Sequence, residues 1–133
     1  MNELDLATED MAREVVDSCY RVHTQLGPGL LESAYEECLA YELRKRGVQV
    51  ARQVVQPIEY DGVTIDAGYR MDLLVGGVIV MELKSVEKLL PVHEAQLITY
   101  LKLSKKNLGF LVNFNVALIK NGIRRRVYTQ PDF

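Results

Sequence analysis

Apolar positions first recur at helical spacing. Met11, Val15, Ser18, Val22 and Leu26 form one stripe, broadened by Ala12, Val16 and Cys19. This predicts a helix capped by Thr8 or Asp10 and running to about Gln25. Gly27-Pro28-Gly29 breaks it. A second helix, from about Leu31 to Arg46, is outlined by Leu31, Ala34, Tyr35, Cys38, Leu39, Glu42 and Leu43 and stops at Gly47. The period then shortens to two. Val48 to Tyr60 reads as one long strand, with Val48, Val50, Arg52 and Val54 on one side. Asp61-Gly62 turns the chain, and Val63 to Ala67 returns antiparallel. Tyr69 to Val75 and the run after Gly76-Gly77 form a second hairpin. A third helix is expected from about Val92 to Ser104, and Asn107 to Asn113 is a buried strand. Its place after a crossover helix predicts parallel pairing. Val116 to Lys120, a turn at Asn121-Gly122, and Ile123 to Tyr128 complete a last hairpin. The order predicts an α/β (α+β) fold, a mixed sheet with helices packed on it.

Composition narrows the setting. A chain of 133 residues with 48% hydrophobic and 26% charged residues suits a single compact domain over residues 1–133. The net charge of −2 exerts no global pull on nucleic acid or anionic membrane, so polyanion binding would need a local patch. Cys19 and Cys38 lack metal or redox spacing and fit small core residues in a reducing compartment. No apolar run approaches the ~20 residues needed to span a bilayer, and no signal-peptide pattern is present. A cytoplasmic protein without a membrane partner is expected.

The chemistry concentrates between Arg70 and Ser85. Asp72, Glu82 and Lys84 interrupt strands that otherwise read as buried, where charges occur only if paired, bound to metal or chemically active. Glu82 and Lys84 share a strand face. A two-residue Gly76-Gly77 loop would set Asp72 opposite Met81 and send Glu82 to the other side. A three-residue Gly76-Gly77-Val78 loop, or a bulge, would gather Asp72, Glu82 and Lys84; this clustered register is the expectation. Two carboxylates so placed suit Mg²⁺ or Mn²⁺, with the Leu83 backbone carbonyl as a third oxygen. Such a cation activates water and polarises a phosphoryl oxygen, while Lys84 orients the water or stabilises transition-state charge. Glu32, bordering the apolar face of the second helix, either completes that shell or is a first-turn carboxylate favoured by the helix dipole. His93, Gln96 and Tyr100 form one helical stripe, facing either solvent or the site. The simpler alternative for the cluster is a partly buried ion pair between Lys84 and one carboxylate.

Asp72, Glu82-Leu83-Lys84 and Gln96 resemble the core of the PD-(D/E)XK nuclease superfamily. Gly29-Leu30-Leu31-Glu32-Ser33-Ala34-Tyr35 is similar to the motif that names its GxxExxY branch. Tyr69 to Leu73, His93 to Leu101 and Gly109 to Phe114 add to the resemblance, which covers about residues 10 to 128. Met71 stands where the superfamily name has proline, and Asn115 where relatives often carry glycine. The resemblance implies a restriction-endonuclease-like core and catalytic positions at Glu32, Asp72, Glu82, Lys84 and Gln96. It also implies Mg²⁺ (or Mn²⁺) bound by Glu32, Asp72, Glu82 and the Leu83 carbonyl, with DNA as the partner. A homodimer would add nucleic-acid surface. Candidate phosphate contacts are Arg44, Lys45, Lys88, Lys105, Lys106 and Arg124 to Arg126, although the three arginines equally fit an exposed edge strand. The rival reading is a non-catalytic nucleic-acid or protein interaction module that keeps the fold.

Overall fold

The computed structural model describes residues 4–131; the extreme ends of the expected 1–133 domain lie outside them. Helix α1 spans Leu6–Leu26. It begins before Thr8 because Asp5 is the cap: its Oδ1 accepts from the Thr8 N–H at 2.7 Å, satisfying a donor the first turn leaves orphaned. The helix ends at Gly27, which takes a positive φ of 67° and donates its N–H to the His23 carbonyl. His23 is buried, and its Nε2 lies 2.8 Å from the Val116 carbonyl. Helix α2 spans Glu32–Lys45 and turns Tyr35, Leu39, Ala40 and Leu43 inward. Cys38, expected in the core, is exposed, whereas Cys19 is fully buried and burial pushes its thiol up to about 12.

The strands are β1 (Val50–Val55), β2 (Ile58–Tyr60), β3 (Val63–Ile65), β4 (Arg70–Val75), β5 (Ile79–Lys84), β6 (Leu108–Asn113) and β7 (Ile123–Val127), with α3 (Pro91–Ser104) between β5 and β6. The main sheet has the order β1-β4-β5-β6-β7, and β2 with β3 forms a separate ribbon. The strand expected from Val48 to Tyr60 is therefore two strands. Pro57 has no N–H for a ladder. Just before it the Gln56 N–H makes the last bond toward β4, to the Tyr69 carbonyl at 3.0 Å. The Val116 to Lys120 strand does not form either. Val116 and Ile119 both pack on the core, a spacing of three that makes a short 3-10 turn at Ile119–Asn121. The following strand β7 pairs directly with β6, antiparallel. Parallel pairing of β5 with β6 is as expected.

Two apolar layers flank the sheet. Helices α1 and α2 cover Leu73, Val75, Ile79, Met81, Leu83, Phe110 and Val112. Helix α3 covers Met71, Val80 and Leu111 with Leu97, Tyr100 and Leu101. Strands β5 and β6 are thus apolar on both faces, as in a central parallel pair. The β4–β5 register pairs Leu73 with Met81, Leu74 with Val80 and Val75 with Ile79. The hairpin loop is Gly76-Gly77-Val78, the three-residue version. Gly76 takes a positive φ of 58°, and a Cβ there would run into the Met11 side chain.

Candidate functional site

Beyond Leu73 and Met81 the regular ladder gives way to side chains. The Asp72 N–H donates to Glu82 Oε2 at 3.0 Å, and the Leu83 N–H donates to Asp72 Oδ2 at 2.8 Å. Each carboxylate thus binds the backbone of the other strand, and the two acids face one another. Glu82 is 3% exposed. Burial pushes its carboxyl up to about 8, and the neighbouring Asp72 adds to the rise. Asp72 is raised as well, chiefly by burial, against the pull of the Leu83 N–H. Lys84 lowers both, but no ion pair shorter than 4.0 Å joins it to either acid among the described residues. The simple ion-pair alternative is therefore not what the cluster forms.

A third carboxylate comes from α2, and spacing did not reveal it. Glu36 is buried, accepts from Arg52 Nε at 3.0 Å and from Gln53 Nε2 at 2.7 Å, and helps raise both Asp72 and Glu82. Gln53 Nε2 also reaches Asp72 Oδ1 at 3.3 Å. Gln53 has a left-handed φ of 50° in the middle of β1, uncommon for a residue with a Cβ. Arg52 still pairs with Leu73, and Val54 with Met71, so the strands stay in register across it. Alternation does not survive, however. Val50 packs with the α1/α2 layer, whereas Val54 and Met71 pack with the α3 layer. Asp72 sits at this crossover and so feels groups from both layers. The only sequence sign was a polar glutamine within a run of valines.

The α1–α2 loop explains the Gly-x-x-Glu-x-x-Tyr spacing. Gly29 takes a φ of 101°, a region that favours glycine. The Tyr35 hydroxyl, one turn into α2, accepts from the Leu30 N–H at 3.1 Å and donates to the Gly27 carbonyl. Its ring stacks on Phe114 with centroids 4.5 Å apart. Glu32 opens α2 and is exposed; its Oε2 accepts from the Ser85 N–H at 3.3 Å. It therefore stands at the Lys84 end of β5, outside the Asp72–Glu82 pair. Ser85 Oγ donates to the Leu30 carbonyl at 2.6 Å and closes this corner.

From the other layer, Gln96 and Tyr100 line a cleft of about 390 Å³ with Tyr69. Tyr100 is buried, edge-on to Tyr69, and its phenol is raised by burial and by Glu82 and Asp72. His93 leaves the stripe: its Nδ1 accepts from the Leu90 N–H and caps α3. A larger depression of about 680 Å³, lined by Arg44, Val48, Leu74 and Gly77, contains none of the site carboxylates. Several expected phosphate contacts are engaged elsewhere. Glu94 binds Arg124 and Arg126, Glu9 binds Arg125, and Arg44 donates to the Val50 carbonyl. Lys105 and Lys106 stand near Val78, at the opposite end of β5 from Lys84. Lys88 lies in the loop leading from the site.

Among the described residues, no three His, Cys, Asp or Glu side chains converge as a metal cage. The donors on hand are the Asp72 and Glu82 carboxylates and the Leu83 peptide, whose N–H already faces Asp72. A buried carboxylate at Glu82 facing a half-buried one at Asp72 fits a hard divalent cation of the Mg²⁺ kind, which takes one or two carboxylates and completes its shell with water and substrate phosphate. Among the described residues, no helix is long and apolar enough to cross a membrane. Comparison with curated proteins and with solved structures yields no significant match. A family model of the PD-(D/E)XK nuclease superfamily, however, matches residues 9–126, from the second turn of α1 to the end of β7. The mixed sheet, the facing acids at the C-terminal end of β5 and the lysine two residues on agree with that match, and the chain belongs to the PD-(D/E)XK nuclease superfamily.

Proposed function

We propose that the protein is a Mg²⁺-dependent nuclease, with Mn²⁺ as a substitute, that hydrolyses DNA phosphodiester bonds, and that it belongs to the GxxExxY branch. The observation that carries this reading is the reciprocal Asp72–Glu82 arrangement with Lys84 on the same strand. Asp72, Glu82 and the Leu83 carbonyl would hold the cation. Bound there, it supplies Lewis-acid stabilisation of the phosphoryl group and a more acidic water. The protein's own groups do the rest. Lys84 orients the attacking water and offsets charge that develops on the phosphoryl oxygens. The Gln96 amide holds the phosphate from α3. Glu32 acts from the Lys84 end, through water, while Glu36 and Gln53 position Asp72. Free thiols at Cys19 and Cys38 agree with a cytoplasmic setting, and a homodimer would bring two sites to two strands.

The test is calorimetric titration of Mg²⁺ and Mn²⁺ into the wild type and Asp72→Ala, with cleavage of single-stranded, duplex and branched DNA followed in parallel. Metal binding and cleavage should both be present in the wild type and absent from the variant. A wild type that neither binds metal nor cleaves would overturn the proposal. The rival, a non-catalytic module, is favoured by one observation: the arginines of β7 are held by Glu94 and Glu9 and make no basic groove. Metal-independent nucleic-acid binding without cleavage would be its signature.

A further inference from the structure

The cleft between Tyr69 and α3 shares Gln96 with the chemistry proposed above and borders the acids through Tyr100. Ile58, Tyr69 and Val92 line it together with Gln96, Thr99 and Tyr100, and its volume is about 390 Å³. One of these residues borders the acid site: Tyr100, whose phenol lies in the field of Glu82 and Asp72. Tyr69 is 44% exposed, and its ring is held edge-on against the buried Tyr100 at a centroid distance of 6.4 Å. One ring is thus backed by packing and offers a fixed aromatic surface to solvent. Tyr69 precedes Asp72 by three residues, with Arg70 between them paired to Asp66, so aromatic surface and proposed metal-binding acid lie within four residues. At about 3.3 Å of rise per strand residue, Tyr69 and Asp72 are roughly 10 Å apart along the strand, within the span of a neighbouring nucleotide. The Thr99 hydroxyl supplies a donor and an acceptor for a base edge.

We propose that this cleft receives an unpaired nucleobase, stacked on Tyr69, from the strand whose phosphate lies at Asp72 and Glu82. The inference rests on the nuclease reading and names its substrate class, single-stranded or locally unpaired nucleic acid. A base inside a duplex cannot enter a side cleft without leaving its stack. An exposed tyrosine beside a phosphate site is the arrangement that sequence-tolerant single-strand binding uses.

Equilibrium binding in EDTA tests it, because no cleavage intervenes. The probes are an oligothymidylate, the same strand with its bases replaced by abasic sites, and a blunt duplex of equal length; the proteins are the wild type, Tyr69→Ala and Tyr69→Phe. The wild type and Tyr69→Phe should bind the oligothymidylate on the order of tenfold more tightly than Tyr69→Ala does, as one base stack predicts. The abasic strand should bind equally weakly to all three proteins. Equal affinity for strand and duplex, or no change in Tyr69→Ala, would overturn the cleft assignment. The nuclease reading fails separately, by absence of cleavage of every substrate when Mg²⁺ or Mn²⁺ is added. Wild type that cleaves strand and duplex alike, with Tyr69→Ala unaltered, would sink the base cleft and leave the nuclease standing.

Discussion

Glu82 carries the clearest consequence of burying an acid beside another acid. Its folded value of about 8 stands above the ordinary 4.5. Between those limits the unfolded chain releases a proton that the folded chain keeps, so folding weakens as pH rises. The contribution is fully present below 4.5 and is lost as pH passes about 8. Asp72 is shifted in the same direction. Glu82→Gln should therefore flatten this slope, becoming more stable than the wild type at about pH 9 and nearly equal at about pH 5. Urea midpoints at the two pH values measure it; a parallel slope in the variant would exclude Glu82 as the cause. Gln53 offers a second residue test. At its positive φ, Gln53→Gly should be more stable than Gln53→Ala by about 1 kcal/mol, since both lose the amide and only alanine keeps a Cβ in the left-handed region. Asp72, Glu82 and Lys84 were legible in the sequence because charge within β-rich apolar runs is rare. Glu36 and Gln53 were not, because their importance lies in a backbone crossover that alternation does not encode.

At the level of elements, most of the fold follows from period and punctuation. Gly27, Gly47, Asp61-Gly62 and Gly76-Gly77 end or turn segments near where a reader of the sequence would place the breaks. The failures have local causes. Pro57 splits a strand, and Val116 with Ile119 trades alternation for a tight turn. Other contacts lie beyond any local signal: His23 is drawn inward by a carbonyl 93 positions away. Asn113 behaves likewise: its side chain makes bonds of 3.1 and 2.9 Å to the N–H and carbonyl of Val86, fixing the loop that leaves the site. The Tyr35 hydroxyl latches the loop before α2. Tyr35→Phe keeps the stack on Phe114 and leaves two backbone groups without that partner, at a cost of about 1–3 kcal/mol. Hydrogen exchange at Leu30 should accelerate in this variant, and cleavage should weaken as Glu32 loses its fixed position. Unchanged exchange would show that the hydroxyl does not hold the loop.

For the whole molecule, the arginines of β7 tie the edge strand down on both sides. Arg125 reaches Glu9 on α1, while Arg124 and Arg126 reach Glu94 on α3. Arg125→Ala should lower the thermal midpoint slightly, as loss of a part-exposed pair does. Oligonucleotide affinity should change less than about twofold, since a contact to one phosphate would instead appear in the salt slope. A shallower salt dependence in the variant would restore Arg125 to the nucleic-acid surface. The three-residue hairpin loop has a consequence of another kind. Glu82 and Lys84 face Asp72 only because the number of residues between the strands has the right parity. Gly76 and Gly77 are favoured as glycine by their positive φ, but the placing of the acids depends on how long the loop is. Deleting Gly77 removes no side chain and touches nothing near the acids. It should nonetheless exchange every inward and outward position of β5 relative to β4, and an insertion–deletion scan should find cleavage lost there more completely than at any single substitution in the same loop.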